Sequence, residues 1–409
     1  MAARTSFPKR GIEILLLENI HATAHEVFRG DGFHVTVAPA ALPEAELAAA
    51  LRDVHVLGIR SKTRITEKSL ADARRLLAID AFCIGTNQID LAAANRKGVP
   101  VFNAPFSNTR SVAELILGEI IVLARKLFDR SSAVHAGRWR KAADGSYEVR
   151  GKTLGIVGYG HIGSQVGVLA EGLGMRVLTH DIRSTLAIGS SRPCATLHEL
   201  LAAADFVTLH VPETPQTHHL IAAAELAAMQ PGSYLLNASR GHVVDIDALA
   251  AALQAGHLAG AAIDVYPSEP EGNSDGFVSP LRGLENVVLT PHIGGSTTEA
   301  QAAIGREVAV ALTKFVNTGT TAGAVNFPQI DAAPIPGTHR VLNVHRNVPG
   351  VLRDVNRIVS DLNANIHAQM LATDAAIGYL VMDLDQDVSD EVTRRVAALE
   401  TNIRTRILY

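Results

Sequence analysis

A guanidinium, a carboxylate and an imidazole follow three apolar β-type runs in this 409-residue chain. Ser233 to Leu236 leads into Asn237-Ala238-Ser239-Arg240-Gly241, and Ala261 to Ile263 into Asp264-Val265-Tyr266-Pro267-Ser268-Glu269-Pro270. Val287 to Thr290 leads into Pro291-His292-Ile293-Gly294-Gly295. Ligands of an open parallel sheet collect in the crevice beyond the carboxyl ends of its strands. Arg240, Glu269 and His292 are therefore expected to converge on one cleft. Together they suit hydride exchange at a carbinol carbon, where a proton must leave or reach the oxygen. Histidine titrates in the right range for that transfer, and a bonded carboxylate orients the ring and favours its charged form. Arginine's planar fork grips an α-hydroxy or α-keto carboxylate at two points. One histidine among seventeen is by itself as often a satisfied surface group, and most arginines make surface ion pairs. The weight lies in the three tips taken together.

Just upstream, Lys152 to Val157 reads as a strand running into Gly158-Tyr159-Gly160-His161-Ile162-Gly163. Such a glycine pattern is weak alone, because a plain turn also explains it. Here it follows a strand and opens a helix whose Ile162, Val166, Leu169, Ala170 and Leu173 form one apolar stripe. Asp181 then stands at the next strand tip, near the spacing of about twenty residues for an acid on a ribose. A tight turn, close backbone approach to a pyrophosphate and a helix N-terminus facing negative charge are the physical reasons for that pattern. NAD is the cofactor it favours, because the Asp181 carboxylate repels the 2′-phosphate of NADP. Asp264 suits the nicotinamide carboxamide or a cap on its own turn. Arg60 and Ser61 follow the strand run Val54 to Ile59 and are placed on the same cleft, with Lys62, Asn108 and Lys141 as weaker candidates for a second anionic group.

The elements that must hold these groups alternate between strand and helix. Ile12 to Leu17, Phe33 to Val37, Val54 to Ile59 and Val99 to Phe102 are strand-like, with helical stretches at Pro43 to Arg52 and Ser69 to Leu77. A long helix is predicted over Val112 to Phe128. Six strands follow Lys152, ending at Gly158, Asp181, Pro212, Asn237, Asp264 and His292, as a full dinucleotide-binding sheet requires. Ser296-Thr297-Thr298-Glu299 has capping-box spacing before a helix to about Phe315, which returns the chain to the first α/β layer. A Pro/Gly/Ala-rich connector then precedes a strand, helix, strand, strand, helix, strand rhythm: Val341 to Val344, Val351 to Leu362, Ile366 to Ala372, Ala376 to Leu384, Ser389 to Leu399 and Ile403 to Leu408. The expected division is 1–107 with a return helix at 296–325, a nucleotide-binding unit at 108–295, a linker at 326–338 and a tail at 339–409.

Composition narrows the classes. A net charge of −4 with scattered basic residues gives no footprint for nucleic acid. No apolar run is long enough for a membrane span. Two cysteines, Cys83 and Cys194, have neither disulfide nor zinc spacing, so no metal is expected and a cytoplasmic protein is. The stretch Arg138-Trp139-Arg140-Lys141 suggests a surface for self-association.

These motifs resemble, in order and spacing, those of the D-isomer-specific 2-hydroxyacid dehydrogenases. The resemblant stretches are Gly158 to Gly163, Asn237 to Gly241, Ala262 to Val265 and Pro291 to Ser296; Asn103 to Glu114 resembles the branch that acts on phosphoglycerate. The resemblance implies an α/β fold: a Rossmann-type doubly wound parallel sheet inserted in a flavodoxin-like substrate domain, plus a C-terminal ferredoxin-like ACT domain. It implies NAD-dependent oxidation of D-3-phosphoglycerate to 3-phosphohydroxypyruvate, the first step towards L-serine, with reduction of 2-oxoglutarate as a further activity. Arg240, Glu269 and His292 carry over as the catalytic set. His161, Ile162, Asp181, Ala238, Ser239, Asp264, Gly294 and Gly295 carry over as cofactor contacts, beside Gly158, Gly160 and Gly163 of the glycine turn and Arg240 and His292 of the tips; Arg60, Ser61, Asn108 and Arg240 are the expected substrate contacts by their positions. In the ACT unit, His345, Asn347 and Asn365 match effector positions, with L-serine as the implied effector and a homotetramer as the implied assembly; Arg346 and Val348 depart from the usual pattern. Alternative readings are another D-2-hydroxyacid dehydrogenase and a non-catalytic NAD-sensing binding protein.

Overall fold

The computed structural model describes residues 9–183, 186–270 and 276–408. Those up to 107 and from 301 onward form one compact unit, and those within 108–300 the other. In the first unit, β1 (Glu13–Leu16), β2 (His34–Val37), β3 (Val56–Ile59), β4 (Ala78–Ala81) and β5 (Val101–Asn103) make a parallel sheet of order β2-β1-β3-β4-β5. Its central strands are buried on both faces, which is why they read as continuous apolar runs. Ile14, Leu16, Val56 and Phe102 face one core, and Leu15, Leu57, Ile59 and Ile79 the other. The return helix Thr298–Thr318 contributes Ile304, Val308, Leu312 and Phe315 to the first of these.

Sequence periodicity misreads the stretch before β4. A helix expected over Ser69 to Leu77 is only Glu67–Leu70, started by a Thr66–Ser69 capping box. Turns then carry Ala73 and Leu76 into the same core that holds Leu70. Apolar residues three apart serve successive turns as well as they serve a helix. β4 itself went unread because Asp80 interrupts it. That residue lies between Gly58 and Phe102 in the sheet register, wholly buried, and neither carboxylate oxygen has a partner among the described residues.

The second unit holds β6 (Thr153–Val157), β7 (Arg176–His180), β8 (Arg192–Pro193), β9 (Phe206–Leu209), β10 (Tyr234–Asn237), β11 (Gly260–Ile263) and β12 (Val287–Leu289), all parallel, in the order β12-β11-β10-β9-β6-β7-β8. The long helix runs over Thr109–Arg125 and not to Phe128. Lys126 adopts the left-handed conformation (φ 50°) and its N–H caps Leu123 and Val122 before a second helix, Leu127–His135.

In the tail, β13 (His339–Arg346), β14 (Ile366–Thr373), β15 (Ile377–Leu384) and β16 (Asn402–Leu408) form an antiparallel sheet of order β14-β15-β13-β16, with helices Val351–Asp361 and Ser389–Ala397. Val341, Leu380 and Met382 face those helices' Val355 and Val392. Leu342, Val344, Tyr379 and Val381 join the core shared with the return helix. The Arg340 guanidinium grips Asp383 on the neighbouring strand at 2.7 and 2.8 Å, and donates to the carbonyls of Thr318, Ala332 and Ala333. The connector lacks regular structure, yet Asn326 fastens it to Val101, Val99 and Leu91.

Burial holds the Asp80 carboxyl well above its ordinary range. The fold thus binds this proton more tightly than the unfolded chain does. Stability from this group is highest below the unfolded pKa of about 4 and falls as pH rises towards the raised folded value. Asp80→Ala is expected to stabilise the protein at neutral pH by about 1–3 kcal/mol, since it removes an unpartnered buried polar group. The gain should shrink near pH 4, as urea unfolding at the two pH values would reveal. A destabilised variant at neutral pH contradicts this assignment.

Candidate active site

In the second sheet the strand order reverses between β6 and β9, and the carboxyl ends of those strands open a crevice. Gly158 directly follows β6 with φ 89°, and a Cβ there would lie 2.5 Å from the His210 carbonyl oxygen. A Cβ on Gly163 would lie 2.2 Å from the Gly158 oxygen. Gly160, by contrast, has open space where its Cβ would stand and is the N-cap of helix His161–Gly172. Two glycines are thus required by the protein's own packing and one leaves room for a ligand at a helix N-terminus. Asp181, just past β7, accepts from the N–H groups of Tyr159 and Arg183 at 2.8 and 2.9 Å, which fixes the carboxylate at that tip. These features fit a dinucleotide whose pyrophosphate meets the helix terminus and whose ribose meets Asp181. His210, after β9, bonds Thr208 at 3.0 Å and is pulled down to about 3 by burial, so it stays neutral.

Beyond β10, Asn237 shapes the tip that carries Arg240. Its Oδ1 accepts from the Ser239 N–H and hydroxyl at 3.0 and 2.7 Å, and its Nδ2 donates to the Arg240 carbonyl at 3.0 Å. Gly241 is required because a Cβ there would lie 2.0 Å from the Tyr266 carbonyl carbon. One Arg240 N–H donates to the Ser239 carbonyl, leaving other donors of the fork for a ligand.

Asp264, past β11, gathers the next tip. Its carboxylate accepts from the Thr290 hydroxyl at 2.6 Å and from the N–H groups of Ile293 and Gly294 at 2.8 Å, while its carbonyl accepts from the His292 N–H. Bent this way, His292 takes a left-handed conformation (φ 54°), uncommon for a non-glycine residue. Its Nδ1 reaches Glu269 at 2.9 and 3.1 Å, and Glu269 also accepts from the Tyr266 N–H. The Glu269 bond raises the His292 pKa above its ordinary value, although burial works against it. Burial tends to raise Glu269, but the bonds from His292 and Tyr266 prevail and hold it below the usual carboxylate range. Arg240 contributes to the electrostatics of both. Nδ1 is committed to Glu269, so Nε2 of the half-exposed ring is left for proton exchange.

Glu119 on helix Thr109–Arg125 escaped the sequence reading. It is buried beside this group, and burial first, then the Asp264 charge, pushes its carboxyl up to about 8. It therefore carries a proton at neutral pH and adds no second negative charge next to Asp264. Asn237 is expected from sequence only as the end of its strand, although an Asn-x-Ser turn there is a readable signal for its part in shaping the tip.

The remaining sequence candidates are spread over both units. Arg60 and Ser61 follow β3 in the first unit. Asn108 precedes helix Thr109–Arg125 without capping it, and its Oδ1 is buried with no partner among the described residues. His345 is buried on β13, with Nδ1 2.9 Å from the Asn343 oxygen, and burial lowers its pKa. Asn347 donates to the Asp374 carbonyl beside the start of β15, whereas Asn365 bonds Asp385 at its other end. Eight strand residues, about 25 Å, separate those ends. One chain therefore does not bring Asn347 and Asn365 together. Among the described residues no cluster of three His, Cys, Asp or Glu side chains could hold a metal, and no helix is long and apolar enough to cross a membrane.

Comparisons with known proteins agree with this geometry. Residues 117–294 match the model of the D-isomer specific 2-hydroxyacid dehydrogenase NAD binding domain, and 342–404 that of the AHAS small subunit-like ACT domain. The chain is 54% identical to D-3-phosphoglycerate dehydrogenase of Dictyostelium discoideum over the full length of both, and 50% identical to the Escherichia coli K12 protein of that name, again over the full length of both. Among solved structures, the TT0316 protein from Thermus thermophilus superposes with a TM-score of 0.70 at 32% identity, covering 77% of this chain and all of that one. D-lactate dehydrogenase from Aquifex aeolicus, complexed with NAD and lactic acid, gives 0.67 at 27% identity, covering 77% and 100%. With the glycine turn, Asp181 and the Arg240, Glu269 and His292 tips all in place, the chain belongs to the D-isomer specific 2-hydroxyacid dehydrogenase family, on its D-3-phosphoglycerate dehydrogenase branch.

Proposed function

We propose that this enzyme oxidises D-3-phosphoglycerate to 3-phosphohydroxypyruvate with NAD, opening the route to L-serine. The bond between His292 and Glu269, on a tip next to that of Arg240, is the observation that carries the reading. NAD, when bound, supplies the hydride acceptor. Arg240 takes the substrate carboxylate, and His292 Nε2 removes the hydroxyl proton as the carbonyl forms. Glu269 keeps the ring's Nδ1–H directed away from the substrate and stabilises the imidazolium that results. The Arg60-Ser61 tip of the first unit takes the phosphate. Asn108, with its unpartnered oxygen, is assigned to the substrate as well.

Oxidation requires neutral His292, so activity in that direction rises as pH climbs through its raised pKa. Reduction of the keto acid requires the imidazolium and falls over the same range. His292→Ala is expected to lower kcat by about 10²–10⁴-fold with NADH affinity little changed. Glu269→Gln removes the group that raises the imidazole, so the oxidation profile of kcat/KM should move to lower pH. A near-wild-type kcat in the first variant, or an unmoved profile in the second, contradicts the roles assigned to these two residues.

Asp181 is assigned the ribose hydroxyls. Asp181→Ala should weaken NADH binding and narrow the gap to NADPH, measured by fluorescence titration of both. Equal affinity for the two cofactors in the unmodified protein would remove the assignment.

The tail is assigned L-serine binding through His345, Asn347 and Asn365, and the enzyme a homotetrameric state in the cytoplasm. Since Asn347 and Asn365 stand at opposite ends of β15, an effector touching both must lie between two tails paired in opposite directions. Strand β14 is an edge of the tail sheet with Met370 and Leu371 outward, and such an edge can accept a second strand. In the second unit Leu127, Phe128, Val134 and Trp139, the last 82% exposed, offer a further apolar surface for self-association. Buried His345 would act on the effector through the strand rather than as an open ligand. Serine at millimolar concentration should slow NADH oxidation chiefly in kcat, and Asn347→Ala should abolish that response. Flat activity, or a monomeric mass in solution, would leave the tail without this role.

A further inference from the structure

The first sheet has its own reversal of strand order, between β1 and β3, and open α/β sheets bind ligands at such a point. Two loops meet there. After β1, Glu18 and Asn19 both adopt left-handed backbone conformations, with φ of 61° and 51°. Neither is glycine, so the surrounding structure must hold this turn in place. After β3 comes Arg60-Ser61-Lys62-Thr63. The buried Glu18 carboxylate spans the gap, accepting from the Lys62 N–H at 3.0 Å and the Thr63 N–H at 2.8 Å. From the other side, Gln88 donates to the Arg60 carbonyl at 2.7 Å, and its own carbonyl accepts from the Ile65 N–H.

Successive backbone N–H groups in a turn are a common way to bind phosphate. Here two of them face inward and are occupied by the chain's own carboxylate. The tip's means of holding an anion are therefore its side chains, the Arg60 guanidinium, the Ser61 hydroxyl and the Lys62 ammonium. Among the described residues, none of the three makes a hydrogen bond or ion pair with the chain. Ser61 and Lys62 are exposed.

We propose that Glu18, assisted by Gln88, is a positioning residue that presets the Arg60–Thr63 tip for the phosphate of the substrate. This rests on the proposed phosphoglycerate substrate. A preset tip spares the cost of ordering the backbone that carries these side chains at each binding event. It supplies preference for a phosphorylated acid without touching the reacting carbon.

The test uses the full-length enzyme and its near-isosteric variant Glu18→Gln, which keeps one acceptor and puts a donor against the other N–H. NADH oxidation is followed with 3-phosphohydroxypyruvate and with hydroxypyruvate, which lacks the phosphate. Preference for the phosphorylated acid, as the ratio of the two kcat/KM values, should fall about tenfold or more, through KM rather than kcat. A ratio that stays at the wild-type value overturns the proposal, whether both activities are normal or both decline together. Should Glu18→Gln fail to fold, Gln88→Leu is read by the same ratio, and an unchanged ratio there has the same force. If the unmodified enzyme itself prefers neither acid, the substrate reading fails instead, and the tip's phosphate role with it.

Discussion

Asp264 is the point on which the catalytic geometry turns. A single carboxylate and its own carbonyl take up one hydroxyl and three N–H groups from residues 290–294. Those bonds outweigh the backbone strain of His292, which costs on the order of 1–3 kcal/mol for a non-glycine residue in this region. Without the left-handed bend the chain after β12 would continue outward and carry the imidazole away from Glu269. Gly294 is needed for the same reason, since a Cβ there would crowd the Asp264 carboxylate at 3.0 Å. The wrapped carboxylate also explains Glu119. A second ionised carboxyl beside Asp264 would compete for the same donors, and burial keeps that group protonated.

Much of this was legible in the chain because parallel sheets translate sequence into position so directly. A strand buried on both faces appears as an apolar run, and the first polar residues after it stand at its carboxyl end. Arg240, Asp264 and His292 were found in that way, with Glu269 read in the same tip as Asp264, and so was the helix opened by Gly160. In the antiparallel tail, too, the six elements fall within a few residues of their expected bounds.

What stayed hidden depends on side-chain direction and on long-range partners. Asp80 hid β4 because a buried unpartnered carboxylate contradicts the pattern that marks a strand. The end of the long helix moved to Arg125 because Lys126 bends left-handed, which a lysine does not advertise. Face was illegible for His345. It alternates with Leu342 and Val344 along β13 and so turns towards Gly378 and the tail helices, where a Cβ on that glycine would lie 2.2 Å from its ring. Glu18 resembles any loop acid until β1 and β3 are seen side by side, forty-odd residues apart in sequence.

The tail is fastened to the return helix and the connector by a buried junction. Arg340 ties β13 to β15 and also to the carbonyls of Thr318, Ala332 and Ala333, with its side chain 5% exposed and that of Asp383 3%. Tyr379 adds a bond to the Gly319 carbonyl, and Arg406 reaches the Val316 carbonyl from β16. Val316, Thr318 and Gly319 lie at the end of the return helix or just after it, and Ala332 and Ala333 lie in the connector before β13. A buried charge pair whose remaining donors are all satisfied behaves as a rigid junction, because freeing any donor leaves it unpaired in the interior. The tail sheet is therefore firmly joined to helix Thr298–Thr318, whose Ile304, Val308 and Leu312 pack in the same core as Leu16 and Phe102. The path from tail to β1 is one continuous packed core, and β1 ends at the turn from which Glu18 braces the Arg60 tip. Any displacement of the tail sheet would thus be felt at the Glu18 turn of the same compact unit, while the Asp264 junction that shapes His292 lies in the other.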